Sequence, residues 1–369
     1  MADQETSQTD STKNIWRTLA TKHETRWSSK GKSDRDAQTR LSRGFVIPEV
    51  EPSFLIPLDQ PIFTIGSCFA RNIEDALANE GAQLPTKSIM MDFAAERGLR
   101  PNSILNKYNI PSIVQELSWA LNKDDGFKGD YLIPGGESFV DPHLDDQTPD
   151  APIDELLERH APVTEVFAQI NSAKTIVITL GMTEAWHDTR YGITLNTAPS
   201  MGAINADPDR FVFRAMSYEE NKAHMETCAD LIFSHAKPDA RMILTVSPVA
   251  LNLTFSGRDV IVANSQSKAT LVTLAQATAA EHPHIDYFPS YEAVTGSDPL
   301  YAWEADRRHT SPRIVEVIVA EFLHRYAGQP KPDWPEFKDD RFSQIIHDLH
   351  RNTKRLERMV IWAQAQKKK

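Results

Sequence analysis

From position 61 onward the apolar residues gather in short unbroken runs, and each run stops at glycine, serine or proline. Pro61-Ile62-Phe63-Thr64-Ile65 ends at Gly66, and Thr175-Ile176-Val177-Ile178-Thr179-Leu180 ends at Gly181. Met242-Ile243-Leu244-Thr245-Val246 ends at Ser247-Pro248, and a weaker run, Ile285-Asp286-Tyr287-Phe288, ends at Pro289. β-Branched runs without polar alternation are the pattern of strands buried on both faces. Between them, helical spacing covers 70–79, 153–170, 218–236 and 264–280, and a further apolar helix runs over 314–322. Strands alternating with helices predict a parallel sheet covered on both sides, that is, a three-layer doubly wound α/β domain. No internal repeat has a solenoid period.

The texture divides the chain into three: a polar extension over 1–47, the α/β domain over 48–328, and a helical extension over 329–369. The first part is rich in Ser, Thr, Lys, Arg and Asp and reads as an arm, with a short helix around Trp16 as the alternative. In the last part Phe342, Ile345, Ile346, Leu349, Leu356, Met359, Val360 and Ala363 follow a spacing near 3.6. That face can pack on its own domain, pair with a second copy to make a homo-oligomer, or touch anionic lipid. The stretches 124–150 and 189–213 lack periodicity and read as excursions over the sheet, the first a candidate lid.

Charge narrows the partners. With 51 acidic against 40 basic residues the formal net charge is −11, which argues against nucleic acid as a general partner. The two cysteines, Cys68 and Cys228, are too few for a disulfide scaffold. No run approaches the roughly 20 apolar residues of a membrane span, and no leader-like segment opens the chain, so a cytoplasmic protein is expected. No cofactor is implied. Asp141, His143, Asp145 and Asp146 invite a metal reading, but without a second well-spaced histidine they read as an acidic turn, and no metal is expected.

In open parallel sheets ligands bind beyond the carboxyl ends of the strands, which directs attention to Gly66-Ser67-Cys68, Gly181-Met182-Thr183-Glu184 and Ser247. Ser67 follows Gly66 at a strand-to-helix turn, where its hydroxyl would project at the sheet mouth beside helix N-terminal amides that favour negative charge. Its plain alternative is an N-cap. If Ser67 faces the cleft, Cys68, about 100° further round a helix, should turn inward and pack. A serine nucleophile needs a base. Asp306-Arg307-Arg308-His309 supplies a carboxylate three residues before an imidazole, in the loop that opens the 314–322 helix at Ser311-Pro312. A salt-bridged loop is the alternative. Glu184 and the His187-Asp188 pair are further polar candidates, and Asn106 and Asn109 around Tyr108 are pocket polars without an assigned role.

The string Gly66-Ser67-Cys68-Phe69-Ala70 resembles the signature of the GSCFA family, which is related to the SGNH/GDSL hydrolases. Ordered blocks around Thr179-Leu180-Gly181-Met182-Thr183-Glu184, Thr245-Val246-Ser247-Pro248, Ala263-Asn264-Ser265 and Tyr287-Phe288-Pro289-Ser290 extend the likeness over roughly 48–326, and Asp306-x-x-His309 matches the closing SGNH block. The resemblance implies a flavodoxin-like sheet with Ser67 as nucleophile, His309 as base and Asp306 orienting it. It further implies an oxyanion or substrate-binding region near Gly66, Gly181, Thr183 and Glu184, with Thr183 where SGNH enzymes carry an asparagine. The expected substrate is an acyl ester, small or on a glycan, cleaved by an esterase or passed on by an O-acyltransferase. The alternative is a non-catalytic module that binds a sugar or acyl group.

Overall fold

The computed structural model describes residues 12–28, 33–42, 44–89, 91, 100–122 and 126–332. Two compact units emerge, one from Met1–Gly44 and Asp333–Lys369, the other from Phe45–Pro332. In the first, the helices α1 (Thr12–Thr21) and α2 (Ala37–Leu41) are described. Trp16 therefore lies on a short helix, with its side chain largely exposed. The amphipathic stretch after 335 lies outside the described residues.

The second unit is an α/β domain around a four-stranded parallel sheet. Its strands are β1 (Ile62–Gly66), β4 (Thr175–Leu180), β8 (Arg241–Val246) and β9 (Ile285–Tyr287), in the order β1-β4-β8-β9. All four apolar runs are strands, and every residue of β1 and β4 is buried. At the two ends of β1, isolated parallel bridges join Pro61 to Gln83 and Gly66 to Asn106. Ligands of open parallel sheets bind beyond the carboxyl ends of the strands, which here are the ends of β1 and β4.

Alternate residues of each strand serve opposite layers. Phe63, Ile65, Ile176, Ile178, Leu180, Met242, Leu244 and Val246 share one core with α4 (Ile110–Leu121), α5 (Ile153–Ala168), α7 (Tyr218–His235) and α8 (Val260–Glu281). Against β1 packs α3 (Cys68–Asn79), which in turn contacts the last helix, α11 (Pro312–Ala327). Ser311 caps α11 through the amide of Ile314, with Pro312 in the first turn, as the sequence pattern requires. Below β1 a buried polar knot anchors α3. Arg71 donates to Glu74 (2.6 Å) and to the Thr64 carbonyl (3.2 Å), Asn102 donates to Glu74 (2.6 Å), and the Thr64 and Thr86 hydroxyls also reach Glu74.

Both aperiodic stretches carry structure the sequence did not announce. The first holds a two-stranded hairpin, β2 (Ile133–Gly135) with β3 (Ser138–Val140). The second joins the segment after β4 in a three-stranded antiparallel sheet of β5 (Glu184–Asp188), β6 (Ile193–Leu195) and β7 (Phe211–Ala215), with α6 (Met201–Ala206) between β6 and β7. Two short helices, α9 (Ser290–Gly296) and α10 (Pro299–Ala302), lead into the 303–311 loop. Among the described residues no helix is long and apolar enough to cross a membrane.

Candidate functional site

A cavity of about 610 Å³ opens at the carboxyl ends of the parallel strands, and both Ser67 and His309 line it. The turn that delivers Ser67 depends on glycine. Gly66 has φ +140°, and a Cβ there would lie 2.5 Å from the Thr179 carbonyl oxygen. Its own carbonyl accepts from the Lys107 amide at 3.0 Å. The segment 106–109 runs across the ends of β1 and β4 in this way, bridging Gly66 through Asn106 and Met182 through Asn109. Gly181 permits the second crossing, because a Cβ there would lie 2.5 Å from the Tyr108 carbonyl oxygen.

Ser67 occupies the N-cap position of α3 with extended backbone angles, yet its hydroxyl makes no capping bond. The residue is 5% exposed, and Oγ is buried without a hydrogen-bond partner. A buried hydroxyl left without a partner is uncommon enough to require an explanation. Capping, the plain reading of this serine, does not supply it. Cys68 is the reverse of the sequence expectation, being exposed and part of the cavity wall. The 100° step between neighbours holds only inside a helix, and Ser67 is not yet helical. The sulfur nonetheless has protein on most sides, and this desolvation holds the thiol above its ordinary pKa despite the nearby Arg308 and Arg100 charges. That opposes thiolate chemistry at neutral pH.

The Asp306–His309 pair is formed by its own loop. Asp306 Oδ1 accepts from the amides of Arg308 (2.9 Å) and His309 (3.0 Å), while Oδ2 lies 2.6 Å from His309 Nδ1. Arg307, between them, takes the left-handed conformation at φ 59°, which lets the carboxylate reach both amides. These backbone donors, followed by the imidazole, hold the Asp306 carboxyl well below the usual carboxylate range. The pair is open to solvent, its side chains 48% and 49% exposed. On its other side His309 Nε2 lies 2.9 Å from Arg308 Nη1. Guanidinium can only donate, so Nε2 carries the lone pair and Nδ1 the proton, which it gives to Asp306.

Polar groups crowd one part of the wall. Asp145, itself buried, accepts from Asn106 Nδ2 (2.8 Å) and Tyr108 Oη (2.7 Å), and Asn106 Oδ1 is left buried without a partner. Burial, then the Asp145 charge, raises the Tyr108 phenol well above its ordinary pKa. Behind the site, fully buried Lys268 donates to the Gly181 carbonyl at 2.6 Å, and desolvation lowers its pKa to about 7.

A model of the GSCFA family matches residues 61–322, most of the chain. The chain belongs to the GSCFA family. No curated protein matches it significantly. Among solved structures it is similar to a Clostridium thermocellum family 3 carbohydrate esterase, at 9% identity and a TM-score of 0.29, with 72% of this chain and 94% of that one covered.

Of the GSCFA chain's sequence candidates, Ser67, His309, Gly181 and Glu184 line the cavity, whereas Gly66, Asp306 and Thr183 do not. Gly66 and Asp306 stand immediately behind lining residues. Thr183 is buried, its amide donates to Ser267 Oγ (3.0 Å) and its carbonyl accepts from the Met216 amide. Glu184 is committed to Thr254, whose hydroxyl donates to Oε1 at 2.6 Å. His187 Nδ1 meets Thr194 (2.9 Å) while its Nε2 is buried without a partner, and Asp188 is held by Arg210 (2.8 Å); neither residue lines the cavity. Asp141 and His143 belong to a buried ionic knot with Lys107, Glu116 and His160. Sequence reasoning placed Asp145 only in an acidic turn and gave no role to Arg308, to Lys268 or to Asn196, which lines the cavity and donates to the Asn106 carbonyl at 2.9 Å. Only Arg308 carried a local signal, as the residue before His309 in the Asp-x-x-His block.

Proposed function

We propose that this GSCFA protein is a serine-dependent ester hydrolase or O-acyltransferase. Ser67 Oγ attacks the carbonyl carbon of an acyl ester while His309 Nε2 accepts the serine proton. Asp306 holds the Nδ1–H tautomer and stabilises the imidazolium. Collapse of the tetrahedral species expels the alcohol, which takes the proton back from His309 and leaves an acyl-Ser67. Water, or a second alcohol, then resolves it by the same proton path. The amides opening α3 favour charge on the oxyanion. With Thr183 outside the cavity wall, the amide of Asn106 is the better side-chain candidate for a second donor. Arg308 yields Nε2 when substrate enters, since it occupies the lone pair the reaction needs.

The observation that carries this reading is the buried, unpartnered Ser67 hydroxyl in the same cavity as a histidine whose tautomer is already set by a carboxylate. Turnover of p-nitrophenyl acetate is the test. Ser67→Ala and His309→Ala are each expected to lose on the order of 10³-fold or more in kcat, and equal rates in all three proteins would end the proposal.

One observation favours a second reading, a binding module without chemistry: no hydrogen bond joins Ser67 Oγ to His309, whose Nε2 is engaged by Arg308. A fluorophosphonate probe separates the two. Labelling that disappears in Ser67→Ala supports the enzyme, and absence of labelling under all conditions supports the module.

A further inference from the structure

The cavity around Ser67 has two kinds of wall. One is the hydrogen-bonded group of Asn106, Tyr108 and Asp145. The other is apolar apart from Glu184, whose carboxylate is tied to the Thr254 hydroxyl: Trp186, Phe213, Leu251, Leu253 and Phe255 line the same space. Trp186 and Phe213 are cross-strand partners on β5 and β7, and Phe255 closes against both, with ring centroids 5.1 Å from Trp186 and 5.7 Å from Phe213.

The apolar wall is built rather than loose. Its loop, 249–256, is fixed by the Leu251 amide to Asn264 Oδ1 (3.1 Å), by Arg308 Nε to the Ala250 carbonyl (3.1 Å), and by Thr254 to Glu184. Leu253 is nevertheless 51% exposed and Phe255 47% exposed. Large apolar side chains held half-open at the mouth of a cavity are covered by a ligand when the site is filled.

Their geometry selects among ligands. Sugar rings lie over an open aromatic face, but here Phe255 meets Trp186 edge-on at 80° and both rings tilt against Phe213 at 57°. The one polar side-chain atom of the three rings, Trp186 Nε1, is buried without a partner and is not exposed on the face that meets the cavity. A hydroxylated or charged group against this wall would lose its water without replacement, whereas a hydrocarbon chain loses nothing.

We infer that the Trp186–Phe213–Phe255–Leu253 wall is an acyl-chain subsite, so that the enzyme prefers esters of medium-length unbranched acids to acetate and leaves the polar wall for the alcohol. The inference rests on the esterase reading above and deepens it. Glu184 then acts as a positioning residue, bracing the loop that carries Leu253 and Phe255.

Two measurements test this. In the first, kcat/KM is compared for p-nitrophenyl acetate, butyrate and octanoate, in the wild type and in the L253S/F255S double variant. Each methylene buried should raise kcat/KM about fourfold until the wall is covered, and the double variant should lower the octanoate-to-acetate ratio at least about tenfold. In the second, S67A protein, with and without L253S/F255S, is titrated calorimetrically with sodium octanoate and with sodium acetate. Octanoate should bind more tightly than acetate, and the double substitution should erase the difference. A flat chain-length profile in an active enzyme, or equal binding of the two acids, overturns the subsite. Selective octanoate binding that depends on Leu253 and Phe255, in a protein that hydrolyses no ester, keeps the subsite and removes the Ser67 chemistry instead.

Discussion

Replacing His160 by glutamine removes the only buried imidazolium of the knot that holds the cavity's polar wall. His160 is fully buried between two carboxylates, with Nδ1 2.6 Å from Asp141 Oδ2 and Nε2 3.3 Å from Glu116 Oε1. Lys107 Nζ donates to Glu116 Oε2 and to the His143 carbonyl, each at 2.6 Å, and the His143 amide returns to Asp141 at 2.9 Å. Phe127 stacks on the His160 ring at 3.6 Å and Trp119 meets it edge-on. Burial opposes the charge on His160, but Glu116 and Asp141 outweigh it and lift the pKa from 6.5 to about 9. For His143 desolvation outweighs the Asp141 and Glu116 charges, and its pKa falls to about 3, so it is neutral throughout the range that matters. Because His160 holds its proton more tightly when folded, its contribution is complete below pH 6.5 and is lost as pH rises through about 9. Moving a pKa from 6.5 to about 9 corresponds to on the order of 3 kcal/mol. For a domain of this size that is roughly 5 °C in Tm. Thermal unfolding of wild type and H160Q at pH 6, 7.5, 9 and 10 reads it directly. The gap in Tm should be full at pH 6 and shrink markedly by pH 10, and a gap that stays constant across the series refutes the charge assignment.

Three further outcomes follow from the same geometry. Gly181→Ala drives a methyl to 2.5 Å from the Tyr108 carbonyl, so it should cost about 1–3 kcal/mol as overpacking and lower ester turnover by displacing the 106–109 segment; unchanged Tm and rate would mean that crossing is not tight. Lys268 has its pKa lowered to about 7 by burial, so the folded wild type binds fewer protons there than the unfolded chain and gains stability between pH 7 and about 10.5. Lys268→Met should therefore be the more stable protein at pH 6–7, with an advantage that shrinks toward pH 10 in denaturant titrations, and an advantage that grows with pH contradicts the burial argument. Cys68→Ala should keep turnover within severalfold, because desolvation disfavours the thiolate, whereas a loss near 10³-fold would make Cys68 the nucleophile.

The parallel sheet was readable residue by residue, since a strand buried on both faces must be apolar without alternation, and few other elements write that pattern in five or six residues. The helix caps were equally local: Ser311-Pro312 opens α11 through bonds within one turn. So was the Asp306–His309 pair, because a carboxylate can reach an imidazole three residues on when the loop between them bends back. What escaped the sequence depends on distant partners. The short strands β5, β6 and β7 are stabilised by their ladder and by rings that meet only after folding, so no period marks them. The outward turn of Cys68, the placement of Thr183 against Ser267, the loan of Glu184 to Thr254 and the Asp141–His160 contact all join residues that chain order does not relate. Local propensity and periodicity act through neighbours in sequence, whereas the wall of a cavity is composed of side chains whose only common property is where the backbone has carried them.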